Sequence, residues 1–157
     1  MKIKILAVGK LKENFLREAC MEYEKRLSRF CNLEICEVKD LKNPDLSSEA
    51  LCREVLEKEG KEILRNLGDG FTVALCVEGV SKTSEEFAQI LSGAAMNGGR
   101  LNFIIGSSLG LSGEVKKRAD LRLSISDMTL PHGLARVVLL EQIYRGYKIL
   151  SGEDYHK

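Results

Sequence analysis

The stretch FTVALCVEGVSKTSEEFAQILSGAAMNGGRLNFII, residues 71–105, decides the fold class of this chain. It opens with an apolar run over 71–77, which is typical of a strand covered on both faces. The box Thr-Ser-Glu-Glu predicts a helix that begins at Ser84, and Asn-Gly-Gly predicts its end after Met96. A second apolar run follows over 101–105. Strand, helix and strand in this order predict neighbouring parallel strands.

The rest of the chain alternates in the same way, on the evidence of its hydrophobic periodicity. The alternation predicts an α/β fold with a mostly parallel sheet flanked by helices, in a single domain spanning residues 1–157. The predicted strands are Lys2–Val8, Leu33–Val38, Phe71–Val77, Leu101–Ile105 and Leu121–Ile125, and the predicted helices are Glu13–Arg29, one that follows the loop NPDLSSEA and ends near Asn66, Ser84–Met96, Ser112–Ala119 and Gly133 to about Ser151.

Composition excludes several classes of protein. Hydrophobic residues make up 44% of the chain and charged residues 30%, which is enough for a core and unlike a disordered segment. No apolar run is long enough to span a membrane and no signal-peptide cleavage pattern is present, so we expect a cytoplasmic protein. The five cysteines are an odd set without a C-x-x-C pair, and both histidines lie far from them in sequence. We therefore expect no metal site.

The net charge of +1 is no global sign of nucleic-acid binding. Bases outnumber acids over residues 1–30, and acids outnumber bases over 31–62. The basic N-terminal part could contact phosphates, or it could be a solvated helix face. Charge alone favours the solvated face.

The glycines indicate where a ligand would bind. The turn after the first strand, VGKLKEN, has one glycine, so neither a G-x-G-x-x-G fingerprint nor a P-loop is present. Glycines cluster instead after the third and fourth strands, at Gly79, Gly106, Gly110 and Gly113. Together with the loop over 125–130 they predict a pocket at three strand ends, where backbone groups can bind an adenine and a ribose between Leu75, Ile105 and Leu130. The alternative is that Gly106 and Gly110 only form a tight turn.

Four segments carry a family resemblance: AVGKLK (7–12), IIGSSLGLS (104–112), LRLSISDMTLPHGLARVVLLEQIYRGYKI (121–149) and the final YHK. Together they resemble the RlmH family, SPOUT-superfamily methyltransferases that act on a pseudouridine in 23S ribosomal RNA. The resemblance covers essentially the whole chain. Ser107 stands where that family usually has a second glycine.

The resemblance implies a C-terminal trefoil knot, which composition and periodicity cannot reveal. It also implies methyl transfer from S-adenosyl-L-methionine to N3 of the pseudouridine on the 70S ribosome, by a homodimer in which the partner completes each site. A last helix that is apolar nearly all round agrees with a subunit interface. The resemblance assigns cofactor contacts to Leu75, Gly106, Ile125, Ser126, Asp127, Met128, Thr129 and Leu130.

The chemistry needs a route for the N3 proton and cations for the RNA. The candidate catalytic residues are Tyr155, His156 and Arg145, with solvent as an alternative base. The candidate RNA-binding residues are Lys10, Lys12, Arg17, Arg136 and Lys157. No metal is required.

His132 follows Pro131, which suits the first turn of a helix because its missing N–H costs nothing there. His132 is therefore either a catalyst or a histidine at a helix start, and its position favours the helix start.

Two rival functions remain open. A nucleotide-using or NAD-using α/β enzyme would require early glycines, which are missing. A dimeric ribosome-binding module without catalysis would keep the fold but would not bind S-adenosyl-L-methionine, so calorimetry separates it from an enzyme.

Overall fold

A computed structural model describes residues 1–41 and 46–153. Five strands form one sheet in the order β2-β1-β4-β3-β5, and the neighbouring strands run parallel. The strands are β1 (Lys2–Val8), β2 (Asn32–Val38), β3 (Phe71–Ser81), β4 (Arg100–Ile105) and β5 (Leu121–Ser124), and the helices are α1 (Asn14–Leu27), α2 (Glu49–Asn66), α3 (Ser84–Met96), α4 (Gly113–Arg118) and α5 (His132–Leu150).

The predicted α/β class and parallel sheet are confirmed, and β1 and α3 have the predicted bounds. The predicted capping box is present, since the Thr83 side chain accepts from the Glu86 N–H and the Glu86 carboxylate accepts from the Thr83 N–H. The predicted end of β3, at Val77, was wrong. The strand continues to Ser81, and only its first half is buried, because a bulge turns the second half outward.

The sheet lies between two helical layers because side chains alternate along each strand. On β1, Ile3 and Ile5 point into the core shared with α1, α3 and α5, whereas Leu6 and Val8 point to the core beneath α2 and α4. On β4, Phe103 points into the first of these cores and Ile104 into the second. Both faces of the central strands are therefore buried.

Helix α5 packs between α1 and α3, and two of its glycines permit the close approach. A Cβ on Gly133 would lie 2.8 Å from Leu16 Cδ1, and one on Gly146 would lie 2.7 Å from Leu91 Cδ1. These two neighbours cover α5 on two sides within one chain, so its apolar character does not by itself require a second subunit.

Over the part of the chain that the structure describes, no helix is both long enough and apolar enough to cross a membrane.

Candidate functional site

A cavity of about 610 Å³ opens at the bulge of β3 and at the ends of β4 and β5. Its walls are residues 75–78, 105–111, 124–126 and 128–132, together with Lys116 and Ala135. The carboxyl ends of parallel strands are where open α/β sheets bind ligands, and this volume suits a small organic molecule.

Most of the predicted cofactor contacts meet in this cavity. Asp127 is the exception, because it is exposed and lies outside the cavity wall. The predicted residues that line the cavity are Leu75, Gly106, Ile125, Ser126, Met128, Thr129 and Leu130.

The loop that follows β5 is held by its own serines. The Ser124 hydroxyl donates to the Ser126 carbonyl at 3.0 Å, and the Met128 N–H donates to Ser126 Oγ at 3.0 Å. Short side-chain bonds of this kind fix a turn without a sheet partner. The loop therefore has a defined shape at the cavity, with the Met128 side chain 74% exposed beside it.

The sequence left open whether Gly106 and Gly110 form a ligand pocket or only a tight turn, and the structure shows that the segment does both. The Gly110 N–H donates to the Ser107 carbonyl at 2.9 Å, and a Cβ on Gly106 would lie 2.2 Å from the Gly110 oxygen. The turn is therefore too tight for a side chain at Gly106. The same residues line the cavity, so the turn and the pocket wall are one structure.

The bulge in β3 adds wall residues that the sequence prediction missed. Leu75 and Val80 both pair with Leu123, so residues 76–79 form a bulge, and residues 76–78 of it line the cavity. A Cβ on Gly79 would lie 2.6 Å from the Leu123 carbonyl carbon, so this close approach requires glycine. A glycine inside a strand pattern is the signal that could have indicated the bulge.

One charge pair in the cavity wall was also missed. Lys116 of α4 forms an ion pair with Glu78 of the bulge. The hydrogen bond from Lys116 is the main cause that lowers the pKa of the Glu78 carboxyl. The wall therefore carries a fixed positive and a fixed negative group side by side.

His132 lines the cavity as the first residue of α5. The helix begins one residue earlier than predicted, and Pro131 is its N-cap rather than part of its first turn. Its Nε2 lies 3.4 Å from the position a Cβ would take on Gly9. The helix-start role is confirmed, and the imidazole also contributes to the wall of the cavity.

A second cavity, of about 450 Å³, lies beside α1 and brings together Lys10, Arg17 and Arg136 with two acids. Arg136, which we predicted to contact RNA, is buried beside this cavity. Its side chain is 3% exposed, and it donates to Glu37 Oε1 at 2.7 Å and to the Gly9 carbonyl at 2.9 Å. Two nitrogens of this guanidinium therefore already donate within the chain, and an RNA contact through Arg136 stays a prediction. Lys10, Lys12 and Arg17 are exposed.

Arg145 does not reach the cavity of its own chain. It lies thirteen residues beyond His132 on α5, about 20 Å away at 1.5 Å per residue, and it is bonded to Glu141 at 2.6 and 2.9 Å. The catalytic role of Arg145, which was predicted for a site completed by a partner subunit, stays a prediction. The other predicted tail residues, Tyr155, His156 and Lys157, lie outside the described residues.

Within residues 1–41 and 46–153, no group of three or more His, Cys, Asp or Glu side chains is arranged to hold a metal ion.

Comparison with known proteins gives consistent matches over the full chain. A family model described as a predicted SPOUT methyltransferase matches residues 1–156. Proteins named ribosomal RNA large subunit methyltransferase H are 50% identical in Clostridium kluyveri, 50% in Bifidobacterium adolescentis and 48% in Streptococcus suis, over all of this chain and all of theirs.

Two solved structures share the fold at low sequence identity. A probable methylase family protein from Haemophilus influenzae matches with a TM-score of 0.55 and 13% identity, over 96% of this chain and 66% of its own. A chain described by structural work on the 2-OH methylation of C/U34 on tRNA matches with a TM-score of 0.52 and 20% identity, over 97% of this chain and 98% of its own.

Proposed function

The chain belongs to the SPOUT methyltransferase family, with full-length relatives in the ribosomal RNA large subunit methyltransferase H group, and from this premise we propose that it methylates N3 of a pseudouridine in 23S ribosomal RNA on the assembled 70S ribosome. The observation that carries the proposal is the cavity at the bulge of β3 and the ends of β4 and β5, which gathers seven of the residues expected to hold the methyl donor. Ribosomes work in the cytoplasm, and we expect the enzyme there.

The cavity fits S-adenosyl-L-methionine in size and chemistry. Leu75, Ile105 and Leu130 provide apolar walls for an adenine ring, and the serine-rich loops provide hydroxyl and backbone groups for the sugar and the amino-acid end. When bound, S-adenosyl-L-methionine supplies a methyl group on a positively charged sulfur. The residues of the cavity would orient this methyl group. Orientation is the main requirement of the reaction, because the sulfur, the methyl carbon and the accepting nitrogen must lie on one line.

The N3 proton of the pseudouridine must leave as the new bond forms, and a nearby base or solvent must accept it. Tyr155, His156 and solvent remain the candidates. His132 is a wall residue of the cavity and is a further group that could orient the base.

RNA binding is proposed for Lys10, Lys12 and Arg17, whose side chains lie at the end of β1 and on the start of α1. Arg17 also bonds to Asn14 within the first turn of α1. Because the net charge is only +1, these cations position RNA that is recognised mainly by shape, and an assembled ribosome offers such a shape.

We propose a homodimer in which the partner completes each site. Leu134, Val138 and Arg145 recur at helical spacing along the outer side of α5, and Leu134 is 40% exposed. If two copies pair these stripes in antiparallel fashion, Arg145 of one copy comes beside the start of α5, and hence beside the cavity, of the other. This arrangement restores a catalytic role for Arg145 that one chain cannot provide.

The proposed trefoil knot involves the region that forms the cavity, namely β5, the loop over 125–131 and α5. In this proposal the last strand, loop and helix pass through a loop formed earlier in the chain.

The test is methyl transfer from radiolabelled S-adenosyl-L-methionine to 70S ribosomes from cells that lack the modification. Separated subunits and free ribosomal RNA are the comparison substrates. We expect label on one pseudouridine of 23S RNA in 70S particles. Equal labelling of free RNA would remove the shape-recognition argument, and cofactor binding without any label would point to another substrate.

A further inference from the structure

A buried carboxylate, Glu59 of α2, lies directly behind the glycine-containing loop of the cavity. Glu59 is 3% exposed. Its Oε2 accepts from Ser107 Oγ at 2.9 Å, and its Oε1 accepts from the Leu41 N–H at 3.2 Å. Leu41 follows β2 and Ser107 follows β4, and β1 lies between those strands in the sheet. One side chain thus joins two loops at the ligand-binding edge.

The burial of Glu59 is energetically unfavourable unless its hydrogen bonds offset it. Burial is the main cause that raises the pKa of Glu59, the nearby Asp40 raises it further, and the bonds from Ser107 and Leu41 lower it. A carboxylate in this environment depends on both donors. The Ser107 hydroxyl is the one of the two that a substitution can remove.

Ser107 is itself a wall residue of the cavity. Its carbonyl accepts from the Gly110 N–H at 2.9 Å, and its Oγ accepts from the Leu109 N–H at 3.4 Å while donating to Glu59. The side chain is therefore held back toward α2 rather than left to rotate in the cavity. The Ser107 hydroxyl therefore has a specific partner in Glu59.

The other end of the same loop rests on the next residue of α2. A Cβ on Gly60 would lie 2.3 Å from Ser112 Oγ, and Ser112 caps α4 by accepting from the Val115 N–H at 3.3 Å. A single turn of α2 thus supports the loop at both ends, by a hydrogen bond at Ser107 and by close contact at Ser112.

We propose that Glu59 is a positioning residue for the methyl donor, which acts through Ser107 to hold the loop over 106–111 in its receptive shape. The inference rests on the proposed function, because it assumes that the cavity binds S-adenosyl-L-methionine. Glu59 touches neither the ligand nor the reacting atoms in this role.

The test is a double-mutant cycle on the dissociation constant of S-adenosyl-L-methionine, measured by calorimetry on the full chain. Ser107→Ala and Glu59→Leu should each raise Kd about tenfold, the usual effect of one hydrogen bond to a charged group. The double variant should be no worse than the worse single variant, because both changes remove the same contact. Ser107→Thr keeps the hydroxyl and should restore most of the affinity.

Hydrogen exchange of the ligand-free protein gives a second readout. Both single variants should speed exchange of the amides in 106–111 and leave β1 unchanged. Glu57→Leu, which makes the same change at an exposed carboxylate on the same helix, is the matched control and should alter neither measurement. Ser107→Ala keeps the test usable if Glu59→Leu does not fold.

Three outcomes would overturn the inference. Wild-type affinity in both single variants would show that the pair does not shape the site, and the proposed function would stand. Effects that multiply in the double variant would show that the two residues act independently. A wild-type protein that does not bind S-adenosyl-L-methionine would remove the proposed function as well, and this result differs from the other two.

Discussion

Arg136 and Glu37 lie 99 residues apart in the sequence and form an ion pair, with Nη1 2.7 Å from Oε1. Arg136 also donates to the Gly9 carbonyl at 2.9 Å. The pair therefore attaches α5, which follows the cavity loop, to the ends of β1 and β2 on the other side of the sheet edge.

We expect Arg136→Ala to destabilise the fold by about 1–3 kcal/mol, because it removes two hydrogen bonds and leaves the buried Gly9 carbonyl without its donor. Urea denaturation measures the loss, and Arg53→Ala on the exposed side of α2 is the control. If the variant is as stable as the wild type but binds ribosomes more weakly, Arg136 contacts RNA and does not stabilise the fold.

Gly79→Ala should destabilise the protein by about 1–3 kcal/mol, because its Cβ would overlap the backbone of β5 at Leu123. It should also weaken binding of S-adenosyl-L-methionine, since the bulge is part of the cavity wall. Gly93→Ala is the matched control, because it has open space within α3 and should raise stability by about 0.5–1 kcal/mol. Thermal unfolding measures the stability of both variants, and calorimetry measures their affinity for S-adenosyl-L-methionine.

The stability difference between the wild type and Glu59→Gln should depend on pH with a defined sign. The folded chain raises the pKa of Glu59 above its ordinary value of 4.5, so the folded state binds the proton more tightly than the unfolded state. The wild type should lose stability relative to Glu59→Gln as pH rises from 4.5 through the raised pKa.

Glu54→Gln is the control for that experiment, with the opposite sign. Lys58 lowers the pKa of Glu54, so the wild type should lose stability relative to Glu54→Gln as pH falls below 4.5. Urea unfolding across this pH range measures both variants. A difference for Glu59→Gln that does not change with pH would contradict the raised pKa.

Lys10→Ala and Arg17→Ala should each weaken binding to ribosomes without changing the affinity for S-adenosyl-L-methionine. Each lost phosphate contact should make the slope of the logarithm of the binding constant against the logarithm of the salt concentration less steep by about one. Binding measured at several salt concentrations checks this, with Lys25→Ala at the other end of α1 as the control. An unchanged salt slope would exclude these two side chains from the RNA contact.

Leu134→Glu together with Val138→Glu should shift the proposed dimer to monomers, because charges on the α5 stripe would have to be buried in the interface. Analytical ultracentrifugation measures the shift, and Met96→Glu, at an exposed site that ends α3, is the control. The monomeric variant should bind S-adenosyl-L-methionine and lose methyl transfer. Full activity of a monomer would contradict a site completed by the partner.

Most of the fold could be predicted from short-range patterns. The alternation in Lys2–Val8, the capping box before Ser84 and the apolar run of α5 each act within a few residues, so they can be read from the sequence. The glycine positions after two successive strands predicted the cavity for the same reason. The bulge of β3 could not be predicted in this way, because it depends on how Val80 pairs with a strand more than forty residues away.

Local chemistry in the sequence determined the α/β class, the parallel sheet and the loops that form the cavity. Tertiary structure alone decided which charges are available there. Arg136 is a surface cation by composition, yet its partner Glu37 lies 99 residues away and the fold buries both of its donating nitrogens. Glu59 and Ser107 are polar residues 48 positions apart, and only the packing of α2 behind the sheet edge brings them to 2.9 Å. Burial and long-range pairing depend on the whole chain at once, and no short window of sequence contains them.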